Sequence, residues 1–160
     1  MKKKNKLLTI IFLALIILIF LFILFSTMLN NSNDVIKKIY DDAQIEIDKS
    51  DILENENTHG GFLGDGERFV KINLKREKFV SKNFKELPYD TEIENVMSSD
   101  IELLNKMPKL KTGYYLFIDR HSESKNKYDT ENLNNRYSYN FTIMLYDDIN
   151  QMFYYYELDT

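Results

Sequence analysis

YNFTIMLYDDINQMFYYYEL, residues 139–158, decides what kind of fold this chain makes. Tyr139, Phe141, Ile143 and Leu145 recur at every second position, so they share one face of an extended strand. Asp147 to Gln151 is rich in Asp and Asn, which hydrogen-bond their own backbone in turns, and it leads into the aromatic run Met152 to Leu158. The pattern is a β-hairpin. Phe153 and Tyr155 face away from Tyr154 and Tyr156, so the second strand carries aromatics on both faces and both need covering. Tyr137, Tyr139, Phe141, Tyr146 and Phe153 to Tyr156 are therefore expected mainly in the core, the alternative being a surface that stacks on sugars or a partner.

Outward from the hairpin, Tyr114-Tyr115-Leu116-Phe117-Ile118 has the length and aromatic content of a strand buried on both faces, expected near the middle of a sheet. Val70, Ile72 and Leu74 alternate with Lys71 and Asn73, which predicts a strand over Phe69 to Leu74. Ile45 and Ile47 alternate with Glu46 and Asp48, and beta structure is expected to begin there. Helical spacing appears at Ile36, Ile39, Tyr40 and Ala43 after a cap at Asn33 or Asp34. It appears again at Phe79, Val80 and Phe84, ended by Pro88, and at Ile93, Val96 and Met97 after Asp90. The expected fold class is α+β: one small domain with an antiparallel sheet of roughly five or six strands and two or three helices on one side.

The segment from Leu7 to Leu29 is of another kind. It has no charged residue, and its only polar side chains are Thr9, Ser26 and Thr27. Its 23 residues would make roughly 34 Å of helix, enough for a hydrocarbon core about 30 Å thick. The apolar run is too long for a cleaved signal peptide, and with no cysteine in the chain a lipoprotein signal is excluded. The organisation expected is a basic tail at 1–6, a transmembrane helix at 7–29, a polar spacer at 30–33 and a domain at 34–160. Lys2, Lys3, Lys4 and Lys6 keep the N-terminus cytoplasmic, which places the domain outside a single-pass cell-membrane anchor.

Four of the 21 basic residues lie in that tail and none of the 25 acidic ones do, so the remainder carries 17 basic against 25 acidic groups, a formal −8. Such a domain repels nucleic acid and anionic head groups. The partners expected are the membrane through Leu7 to Leu29 and a cationic or neutral protein.

Two constellations hold the ionisable residues that chemistry would use. His59-Gly60-Gly61-Phe62-Leu63-Gly64-Asp65-Gly66-Glu67 contains four of the five glycines. It lacks a Lys-Ser/Thr ending and leads into a strand, so phosphate-loop and dinucleotide readings fail. Either the glycines make a tight hairpin at Gly64-Asp65-Gly66, or backbone amides with His59, Asp65 and Glu67 bind a ligand. Asp119-Arg120-His121-Ser122 lies where a buried strand runs into the polar stretch 121–136. Asp119 and His121 project to one side, so a carboxylate could orient an imidazole, whereas Ser122 points away and no local triad forms. The alternative is an ion-paired loop start. His59 and His121 are the only histidines, and with Asp65 or Asp119 they supply zinc or manganese ligand types. The spacing specifies no metal site, and neither metal nor cofactor is expected.

These segments, with Phe117 to Ser124 and the closing Asn140-Phe141-Thr142-Ile143 strand ending near Glu157-Leu158-Asp159-Thr160, resemble an uncharacterised bacterial protein family with HGGFxGDG and FIDRHSES-type motifs. The resemblance spans roughly Thr58 to Thr160 and departs at Leu63, where the family often has a second histidine. It implies that these residues form one unit, and it implies no activity. The function expected is a membrane-anchored binding or interaction module, which is not an enzyme. The alternative is a small hydrolase-like or metal-dependent enzyme using His59, Asp65, Asp119 and His121.

Overall fold

The computed structural model describes residues 2–60, 65–80, 82–121, 124, 126–128, 130 and 133–160, with side chains described from 12–22 and from 32 onward except 134. The chain divides into two compact units, Met1–Lys38 and Ile39–Thr160. One helix, α1 (Lys2–Ala43), runs through the boundary between them. The polar stretch 30–33, expected to be a spacer, is helical: Asn and Ser disfavour helix by less than about 0.7 kcal/mol each, and no glycine or proline interrupts it. Over residues 12–22 the apolar side chains, such as Phe12, Leu18 and Phe22, are exposed. Among the described residues no helix is long and apolar enough to cross a membrane. The crossing expected of Leu7 to Leu29 therefore rests on the sequence.

The second unit is an α+β domain. Helix α1 ends when Gln44 takes a left-handed conformation (φ 58°) and closes on the Tyr40 carbonyl through both its backbone and its side-chain nitrogen, at 2.9 Å each. Ile45 and Ile47 are buried and Glu46 and Asp48 exposed, as the alternation predicts, but the segment joins no sheet. The first strand is β1 (Ile52–Asn57), followed by β2 (Gly66–Asn73), the two-residue β3 (Lys85–Glu86), α2 (Thr91–Ser99), α3 (Ile101–Lys106), β4 (Tyr114–Asp119), β5 (Asn140–Asp147) and β6 (Met152–Asp159). They form one antiparallel sheet in the order β1-β2-β6-β5-β4-β3. The β5–β6 hairpin holds the centre, and β4 lies one strand further out than its apolar run suggested. At the hairpin's tip the Asp147 carboxylate accepts from the backbone N–H groups of Ile149 and Asn150, at 3.1 and 3.0 Å, which fixes the turn.

The expected helix at Phe79 to Phe84 is absent. A 3-10 turn at Arg76–Lys78 precedes non-helical chain in which Phe79 stacks on Tyr146 (centroids 4.0 Å apart) and Phe84 meets Phe153 edge-on. Three aromatic or β-branched residues cannot close a stable helix alone, and docking on the sheet wins.

Both faces of the sheet are buried. On one, Phe69, Phe117, Phe141, Ile143 and Tyr156 pack against Ile93 and Val96 of α2 and Leu103 of α3. On the other lie Val70, Ile72, Leu116, Met144, Tyr146 and Tyr155. There Asp42, in the last turn of α1, joins Arg120, which also holds Thr142. Helical residues thus meet both sides of the sheet. Each buried Phe or Leu contributes about 1.5–3 kcal/mol.

Candidate functional site

The antiparallel register brings the two predicted constellations to the same end of the sheet. Asn57 pairs with Arg68, Gly66 with Asp159, Asp159 with Asn140, and Phe141 with Asp119, so the β1–β2 loop, the β4 exit and the C-terminus emerge side by side. They emerge in a row, however. β1 and β4 stand four strand spacings apart in the sheet order, on the order of 19 Å. His59 and His121 cannot share a coordination shell across that span.

Gly61 and Gly64, with Phe62 and Leu63, fall outside the described residues. The ends of their loop are held by Thr58 and Glu67. Thr58 N–H donates to the Glu67 carbonyl at 2.8 Å, and Glu67 N–H donates to Thr58 Oγ1 at 2.9 Å. The loop between this pair is longer than the tight hairpin expected at Gly64-Asp65-Gly66. His59 binds locally, its backbone N–H and its ring Nδ1 both meeting Asn57 Oδ1 at 3.0 and 2.9 Å. Gly60 and Asp65 are exposed. Of the loop's described glycines, Gly66 has a steric reason: at φ 154° an added Cβ would come within 2.6 Å of the His59 backbone.

At the β4 exit the charges are spent on one another. Asp119, 2% exposed, pairs with Arg136: its Oδ1 accepts from Arg136 Nη1 at 2.7 Å and from the backbone N–H of His121 at 3.1 Å, while its Oδ2 lies 2.6 Å from the same nitrogen and has no hydrogen-bond partner among the described residues. The expectation that Asp119 orients the His121 imidazole is replaced by an Asx-type turn locked by a guanidinium. The ring Nε2 of His121 instead meets Ser138 Oγ at 3.2 Å. Arg120 points to the opposite face, where its Nε donates to Thr142 Oγ1 at 2.8 Å and its Nη2 binds Asp42; Lys127 lies 3.6 Å from the same carboxylate. Along that face Arg68, Glu157 and Thr142 stand opposite one another on β2, β6 and β5, and the Tyr155 hydroxyl donates to Glu157 at 2.9 Å. Burial pushes the Tyr155 phenol well above the ordinary tyrosine value, and the Glu157 charge adds to it.

Among the described residues, no group of three or more His, Asp or Glu is placed to hold a metal ion. The one cluster of carboxylates, Glu56, Glu67 and Glu102, surrounds Lys106 at 3.1, 3.9 and 3.7 Å. It ties β1 and β2 to α3. The aromatic set is core, as expected for Phe141, Tyr146 and Phe153 to Tyr156, while Tyr137 is fully exposed.

An open concavity lies elsewhere, at residues the sequence did not single out as a site. A groove of about 600 Å³ is lined by Leu87, Met97, Leu104, Met107 and Leu110, with Pro88 and Pro108 in its walls. Glu94 lines it from α2, and Lys109 and Lys111 line it from the segment between α3 and β4. The Tyr89 hydroxyl in its wall is buried with no hydrogen-bond partner among the described residues.

The chain matches no protein-family model, no curated protein and no solved structure.

Proposed function

We propose that this chain is a membrane-anchored binding module: the apolar stretch from Leu7 to Leu29 embeds in lipid, Lys2, Lys3, Lys4 and Lys6 stay in the cytoplasm, and the sheet domain outside holds a ligand without transforming it. The observation that carries the binding half is the split between committed charge and open apolar surface. Asp119 and Arg120, the residues best placed for chemistry, are consumed by Arg136 and Asp42, whereas the groove beside α2 and α3 is open and apolar. The anchoring half is supported by the uncharged sequence of residues 7–29, of which eighteen are Leu, Ile or Phe, favouring insertion by about 5–11 kcal/mol.

The test is fractionation of bacteria expressing the full chain. It should resist alkaline extraction from membranes, and Leu15→Lys with Leu18→Lys should release it. Protease added to spheroplasts should digest the domain. A wild-type chain washed free by alkali, or a domain protected in intact spheroplasts, refutes the anchoring or its orientation.

A further inference from the structure

We propose that the groove beside α2 and α3 binds a single-chain anionic amphiphile, a fatty-acid-like molecule whose chain lies among Leu87, Met97, Leu104, Met107 and Leu110 and whose head meets Lys109 and Lys111. This rests on the reading of the chain as a binding module and names the class of ligand.

Size comes first. About 600 Å³ of groove falls within the roughly 300–1,000 Å³ of sites that enclose small ligands. The lining is the second argument. Apolar side chains dominate it, and the two methionines are flexible and polarisable enough to follow an alkyl chain. A peptide in extended form would bury main-chain amides against these groups with few partners to satisfy them. A helical peptide, about 10–12 Å across, would lie on the groove rather than within it.

Charge decides the head group. In a domain of formal charge −8 several lysines are answered by carboxylates, Lys78 by Asp48 and Asp51, Lys85 by Asp90, Lys106 by three glutamates and Lys127 by Asp42, while Lys71 lies over the Tyr154 ring. Lys109 and Lys111 are exposed and have no ion-pair partner among the described residues. They outnumber Glu94, the one acidic residue in the lining. Because exposed charges are screened beyond about 8 Å at physiological salt, a head group at this lip feels the two lysines more than the domain's net charge.

The experiment uses the full chain in nanodiscs of a zwitterionic lipid, photolabelled with a diazirine analogue of palmitate and mapped by peptide mass spectrometry. Two labelled regions are expected: residues 7–29, from lipid embedding, and residues 87–111, from the groove. Lys109→Glu with Lys111→Glu should cut groove labelling about tenfold and leave the label on residues 7–29 unchanged, and Met97→Trp should do the same by filling the groove. Excess palmitate should displace the groove label and hexadecanol should do so poorly. Groove labelling no higher than over the rest of the domain, labelling that survives the double lysine substitution, or equal displacement by the alcohol overturns the amphiphile site. Loss of labelling on residues 7–29 refutes the anchor instead, so the two failures are distinguishable.

Discussion

At the exit of β4, Asp119 and Arg120 are held between partners, Arg136 on one face of the sheet and Asp42 on the other. Beside α2 and α3, Lys109 and Lys111 flank an open groove and are answered by nothing among the described residues. The first region has the residue types of an active site and the connectivity of a staple. The second has an unremarkable composition and the shape of a binding site. Ionisable residues therefore point to chemistry only when their partners leave them a proton, a lone pair or an approach; here the partners fasten a long polar connection to a sheet.

The sharpest way to break this comparison is to remove one partner at the β4 exit. Asp119→Ala leaves Arg136, whose side chain is 10% exposed, with its charge uncompensated, and should cost about 3–5 kcal/mol in urea unfolding of the full chain in nonionic detergent. A loss below about 1 kcal/mol would mean the pair behaves as a surface ion pair. Next in size is Gly66→Ala. The new methyl would meet the His59 backbone at 2.6 Å, so about 1–3 kcal/mol should be lost, measured in the same way. An unchanged midpoint would show that the loop ends can relax.

A smaller effect comes from alkali. The Tyr155 phenol is held above its ordinary value of 10.0 by burial and by Glu157, so the folded state keeps a proton that the unfolded chain gives up. Its contribution is complete below pH 10 and drains away as pH rises beyond it, by up to about 1.4 kcal/mol per pH unit. Unfolding midpoints should fall above pH 10, and Tyr155→Phe should flatten that fall. The smallest effect sharpens the other side of the comparison. Lys109→Glu with Lys111→Glu should change stability by less than about 0.5 kcal/mol, because neither lysine holds any part of the fold.

What the sequence disclosed follows from how local each signal is. The strands at Phe69 and Phe141 were legible because burial on a pleated face repeats every second residue, and the strand at Tyr114 because a short aromatic-rich apolar run suits burial on both faces. β1 was missed: Ile-Leu-Glu-Asn-Glu-Asn is an edge strand, its second residue set aside by an irregularity in the register with β2, and its polar side chains carry no alternation. Ile45 and Ile47 alternate for burial and not for pairing, a distinction that periodicity cannot make. Phe79 and Phe84 are spaced for a helix, yet their partners are Tyr146 and Phe153, far away in sequence. At the candidate site, Asp119 and Arg120 were found as residues with chemistry and an ion-paired loop start both open, since Arg136 and Asp42 reach them only after folding. The groove was not legible at all. Leu87, Met97, Leu104 and Leu110 become its lining through the way their segments pack, which no single helical stripe records.

A double-mutant cycle on Asp119 and Arg136 tests the separation of the two regions most directly. Unfolding of the full chain is compared for wild type, Asp119→Ala, Arg136→Met and the double variant. Coupling of at least about 1 kcal/mol, with the double variant recovering stability lost in Asp119→Ala, is the predicted result. Additivity within about 0.3 kcal/mol would contradict it, showing that the carboxylate and the guanidinium do not depend on each other and that Asp119 is free for another use.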